Sequence, residues 1–106
     1  MAMQAKQYEG TVTLAEIWNP ISATIPSVTS GSGGTITVAL PAGSQALPGD
    51  VVSLGCPAAW GPLQVSGTII AQGSLQIAYG NNSGSTVNVG AQPVGVAIER
   101  LVLTGV

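Results

Sequence analysis

Few residues in this chain can do chemistry. Four carboxylates (Glu9, Glu16, Asp50, Glu99), two cations (Lys6, Arg100), one thiol (Cys56) and a handful of aromatic side chains make up the whole inventory. Histidine is absent, which removes the common proton shuttle, the commonest metal ligand and the base of any Ser-His-Asp or Cys-His arrangement. The carboxylates fall in separate segments, so a glycosidase-like pair would have to be assembled entirely by the fold. Asp50 has a local explanation instead, because it follows the turn dipeptide Pro48-Gly49 and can cap backbone donors there. None of the acids has the clustered spacing of a calcium loop. The residues therefore point away from an enzyme and assign no catalytic residue, no metal ligand and no cofactor.

Three further motifs have simple readings. Gly31-Ser32-Gly33-Gly34 lacks the lysine and the following helix of a phosphate-binding loop and reads as a loop tip. Asn81-Asn82-Ser83 fits the glycosylation acceptor pattern, but the start Met1 to Lys6 has no apolar signal-peptide segment, so the triplet reads as a turn. Cys56, the single cysteine, cannot form an internal disulfide and reads as a small buried hydrophobe. Trp18 and Trp60 fall in or beside expected loops. Either they cap the ends of the core or, with Tyr8, they anchor an interface, since aromatic groups bring large contact area at small entropic cost.

The elements that would position these groups are strands. At 106 residues the chain is one domain's worth of sequence, 45% hydrophobic and only 6% charged with a net charge of −2. An ordinary soluble domain carries about 25% charged residues, so this surface is built from Ser, Thr, Asn, Gln and Gly and offers little repulsion between copies. Two cations cannot neutralise a run of phosphates, which argues against direct nucleic-acid binding. No apolar run is long enough to span a bilayer, and no membrane association is expected.

Alternation marks out half-buried strands at Gly34–Leu40, Asp50–Cys56, Leu63–Ile70, Ser74–Tyr79, Thr86–Val89 and Val94–Leu103. Gly10–Ile17 and an interrupted run over Ser22–Val28 precede them. Gly67 predicts a bulge or a place where another backbone comes close. Gln72-Gly73 predicts a turn, Gly80–Gly84 a hairpin connection, and Gly90–Pro93 a break; Leu101-Val102-Leu103 reads as buried on both sides. Seven or eight short strands without a helix predict an all-β fold, an antiparallel β-sandwich or jelly-roll-like domain. Residues 21–106 would form the sandwich and residues 1–20 an N-terminal arm or first edge strand.

The order Ala39-Leu40-Pro41-Ala42-Gly43, Pro48-Gly49-Asp50-Val51-Val52, Cys56-Pro57-Ala58-Ala59 and Val65-Ser66-Gly67, followed by Leu75 to Ser83, resembles small tailed-phage virion proteins of the capsid decoration or cement type. The resemblance covers most of the chain apart from residues 1–30, and Gln76 stands where the pattern tends to carry a basic residue. It implies a β-sandwich made in the host cytoplasm and carried on the capsid surface of the virion, often as a homotrimer, with the major capsid protein as partner. It transfers no catalytic residue. Two other functions fit the same composition: a phage tail or fibre accessory domain, and a sugar-binding module in which Trp18 or Trp60 stacks on a ring.

Overall fold

The computed structural model describes residues 10–103, with side chains over 16–101. Six strands form: β1 (Gly10–Ile25), β2 (Gly33–Ala39), β3 (Val51–Gly55), β4 (Leu63–Ala71), β5 (Ser74–Asn81) and β6 (Gly90–Leu103). One short 3-10 turn, Ala58–Trp60, is the only helical element among the described residues. Two antiparallel three-stranded sheets result, β1-β6-β3 and β2-β5-β4. The fold is a β-sandwich with six strands, not seven or eight.

Two expected strands are absorbed or lost. Gly10–Ile17 and Ser22–Val28 belong largely to one long strand, because register shifts at Leu14/Glu16 and Trp18/Ile21 carry the ladder past Asn19-Pro20, whose peptide is cis. Thr86–Val89 contributes only a single bridge, Val28 to Val87. The expected break at Gly90–Pro93 is instead the start of β6. There β6 pairs with β1 alone, since β3 covers only Gly95 to Glu99, so Pro93 lies on a two-stranded stretch and not within the three-stranded part of the sheet.

Alternation places one face of each sheet inward. Val94, Val96 and Ile98 of β6, with Ile21, Ala23 and Ile25 of β1, meet Leu75 and Ile77 of β5 and Leu63 and Ile69 of β4 in a continuous core. Gly67 of β4 lies close against β3 of the facing sheet. A Cβ there would lie 2.8 Å from Val52 Cγ1 and 3.4 Å from Leu54 Cδ2. Neither a bulge nor a close backbone is found at Gly67: side chains of β3 and β5 crowd it, and the irregularity in β4 falls later, at Ile69/Ala71.

Only β4 and β5 are joined by a hairpin, through the Gln72-Gly73 turn; the other connections cross between sheets. The Gly80–Gly84 segment is thus a crossover and not a hairpin. Its anchor is Asn81, which is 1% exposed and donates from Nδ2 to the carbonyls of Val28 and Ser85, both at 2.8 Å, while its Oδ1 accepts from the Ser83 amide. A side chain so committed cannot carry a glycan.

The molecule measures 57 × 37 × 21 Å with a radius of gyration of 17.0 Å, against about 13 Å for a compact chain of this size. Much of the excess length lies in the β1–β6 ladder, which runs past the end of β3: Gly10 to Val12 pair with Leu103 to Leu101 as a two-stranded extension. Leu101 is 60% exposed there and is not buried on both sides, because β3 ends before it can cover that part of β6.

Candidate interaction surface

The polar side chains assemble at one end of the sheet β1-β6-β3 and fasten the 41–50 connection to it. Arg100 continues the inward face of β6 and makes a paired contact with Asp50, Nε to Oδ1 at 2.9 Å and Nη2 to Oδ2 at 2.8 Å, and also donates to the Gln45 carbonyl. Asp50 also accepts from the Leu47 amide, the capping role its position after Pro48-Gly49 predicts. Glu16 accepts from Trp18 Nε1 and Ser44 Oγ, both at 2.7 Å, and from the Gln45 amide. These groups fix a loop. Among the described residues no three metal-ligating side chains come together.

The same contacts set a pH dependence. Burial opposes ionisation of Glu16, but hydrogen bonds from Ser44, Trp18 and the Gln45 and Ala46 amides outweigh it and hold the carboxyl below its ordinary value of 4.5. Arg100, with help from the Leu47 amide and against a smaller effect of burial, holds Asp50 below 3.8. A depressed folded pKa adds stability that is complete above the unfolded value and disappears as pH falls through the folded one. Thermal unfolding should therefore be level from pH 7 to about 5 and fall steeply below about 4.5. In the double variant Glu16→Gln, Asp50→Asn that acid-side slope should flatten; an unchanged slope would show that other carboxylates control it.

The interface candidates are scattered by the fold. Trp60 is 1% exposed in the core, as the reading of a core cap requires. Trp18 lies within β1 rather than in a loop, half-buried against the core, with its Nε1 occupied by Glu16. Tyr8 lies outside the described residues. Cys56 is exposed and not a buried hydrophobe, because the chain leaves the sheet at Gly55 and the alternation of β3 does not reach it. Partial desolvation pushes its thiol pKa up, which disfavours a reactive thiolate.

A different surface stands out, and it comes from the sheet faces. On the outer side of β2-β5-β4 stand Thr35, Thr37, Gln76, Gln64, Ser66 and Thr68, a largely hydrated face, with Ile70 exposed near the end of β4. The outer side of β1-β6-β3 carries Ser22 and Thr24 at one end and few such groups over its middle. Ile17, Asn19, Ser53, Gly55, Gly95 and Ala97 line a shallow, mostly apolar groove of about 340 Å³. Gly55 and Gly95 lie directly opposite each other and form its floor, while Ile17 at 61% exposure and Leu101 at 60% rise beside and beyond it. Val51 adds a further exposed apolar group, and Glu99 is the one charge among the described side chains of this face. Sequence alternation separates Gly95 and Ala97 from the core but cannot reveal that Gly55 and Ser53 stand beside them, since that depends on strand order. No protein-family model, curated protein or solved structure matches the chain.

Proposed function

We propose that this chain is a structural virion protein of the capsid decoration type, which docks the outer face of β1-β6-β3 onto the major capsid protein and stabilises the shell without catalysis. The observation that carries this reading is the asymmetry of the two outer faces: one carries Thr35, Thr37, Gln64, Ser66, Thr68 and Gln76 with Ile70 as its exposed large apolar group, whereas the middle of the other, beyond Ser22 and Thr24, is glycine and alanine with Ser53 beside exposed Ile17, Val51 and Leu101. An apolar face with a hollow at its centre gains by burial against a complementary protein surface. The order of turn motifs shared with small tailed-phage virion proteins supplies the partner. A sugar-stacking role loses support, since Trp60 is enclosed and Trp18 is packed and hydrogen-bonded.

An interface of this kind depends little on charge, because screening acts mainly on exposed ion pairs. Purified chain mixed with emptied shells of the virion that encodes it should co-sediment almost equally at low salt and at about 1 M salt, where the Debye length falls to about 3 Å. Release by salt alone would contradict the apolar docking face. Hundreds of copies per particle would favour the shell, and a few dozen or fewer would favour the tail or fibre accessory role.

A further inference from the structure

We infer that the free edge of β2 pairs antiparallel with β2 of a second copy, joining two β2-β5-β4 sheets into one six-stranded sheet across a two-fold axis. The four sheet edges are not equivalent. β1 is interrupted by Pro20 and two register shifts, β3 has only five residues, and β4 carries a shift at Ile69/Ala71. All are devices that blunt an edge against pairing. β2 has none of them. Its seven residues, Gly-Gly-Thr-Ile-Thr-Val-Ala, contain no charge and no proline and pair with β5 in unbroken register. Among the described residues nothing pairs with its other side. Between β1 and β2 the sandwich stands open as a groove of about 540 Å³, lined by Ser22, Thr24, Thr37 and their neighbours.

The ladder fixes which groups face outward. Leu40 donates its amide to the Gly73 carbonyl, which makes Leu40 opposite Gly73 a hydrogen-bonded pair in the β2–β5 register. Antiparallel pairs alternate, so Gly34, Ile36 and Val38 spend their backbone groups on β5, while Gly33, Thr35, Thr37 and Ala39 point theirs to the free edge. The strand is self-complementary about its centre, Ile36. A two-fold axis there sets Thr35 opposite Thr37 of the second copy and Gly33 opposite Ala39, all with outward-facing backbone groups. These four pairs exchange about eight backbone bonds, two for each pair. Ile36 then meets its own copy at the close, non-hydrogen-bonded position, covering half-buried apolar surface on the inner face. On the outer face threonine lies against threonine, a favourable cross-strand pair. A foreign strand would need to match this pattern, whereas a second copy carries it by construction.

The test is the mass of the native protein across a concentration series, by sedimentation equilibrium, with two variants. Wild type should associate to a dimer. Thr37→Pro removes one outward donor per copy and no donor to β5, so it should raise the dimer dissociation constant by about thirtyfold, the loss of two backbone bonds of ordinary strength. Thr35→Lys, Thr37→Lys sets like charges directly opposite across the axis on an exposed face, and should give a monomer with unchanged strand content by circular dichroism. A wild-type monomer at every concentration, a trimer like the one the sequence resemblance implies, or a dimer that survives the lysine pair would each overturn the inference. None of these outcomes bears on shell binding by the opposite sheet.

Discussion

Replacing Trp60 with alanine should lower stability by about 3–5 kcal/mol, the largest effect expected of any single substitution in this chain. The side chain is the bulkiest of the fully buried ones and closes the core from the last position of the short turn Ala58–Trp60. Its removal leaves a void at the end of the sandwich between β3 and β4, where only a short connection is available to collapse into it. Against a typical total of about 5–15 kcal/mol, such a loss takes much of the margin and should shift the thermal midpoint by about 15–25 °C. The indole Nε1 has no hydrogen-bond partner, so the ring contributes volume and a buried donor that costs free energy. Trp60→Phe keeps most of the volume and discards the donor, and should cost only about 1–2 kcal/mol. Differential scanning calorimetry of both variants would check this pair. Equal losses for Phe and Ala would mean that the indole nitrogen has a function that its surroundings do not reveal.

Gly67→Val should be nearly as damaging, about 2–3 kcal/mol from overpacking. The new Cβ alone would stand 2.8 Å from Val52 Cγ1, 3.3 Å from Leu75 Cδ1 and 3.4 Å from Leu54 Cδ2. Valine adds two methyl groups in the same crowded space between the sheets. Alanine should cost less, about 1 kcal/mol or below, because a side chain in a strand regains some of the entropy that glycine gives up on folding. The decisive experiment is a double-mutant cycle in chemical denaturation. Val52→Ala removes the nearest methyl, so Gly67→Val in that background should cost at least about 1 kcal/mol less than in the parent. Simple additivity would mean that the sheets are not in contact at this point.

These residues also show how much of the molecule was legible in its sequence. Alternation located β2, β3, β4 and β5 to within two residues, and the end of β6, because Ile36/Val38, Val52/Leu54, Leu75/Ile77 and Val94/Val96/Ile98 each face one core. Proline and asparagine misled where tertiary context overrides local preference. Pro20 and Pro93 read as breaks, yet each lies on the β1–β6 ladder, Pro20 at a register shift and Pro93 where β3 no longer pairs with β6. Asn81 and its neighbours read as a hairpin because the local chemistry of a tight turn and that of a crossover are the same. What distinguishes them is a hydrogen bond to Val28, 53 positions away. The docking face was illegible for a related reason. Small residues are visible at Gly55 and Gly95 separately, but their opposition depends on β3 pairing with β6, a long-range choice.

On the function proposed above, the small, apolar outer face of β1-β6-β3 is the surface that meets the shell. Ala97 stands in its middle, between Ile17 and Ser53 on the neighbouring strands, and Ser66 stands on the hydrated outer face of the other sheet. The most direct measurement is quantitative co-sedimentation of Ala97→Asp and Ser66→Asp with emptied shells, after each has been shown to be folded by circular dichroism. Ala97→Asp, which forces an unpaired charge into the buried contact, should weaken binding at least about a hundredfold, while Ser66→Asp should bind like the parent. Parental binding by Ala97→Asp would contradict docking through this face.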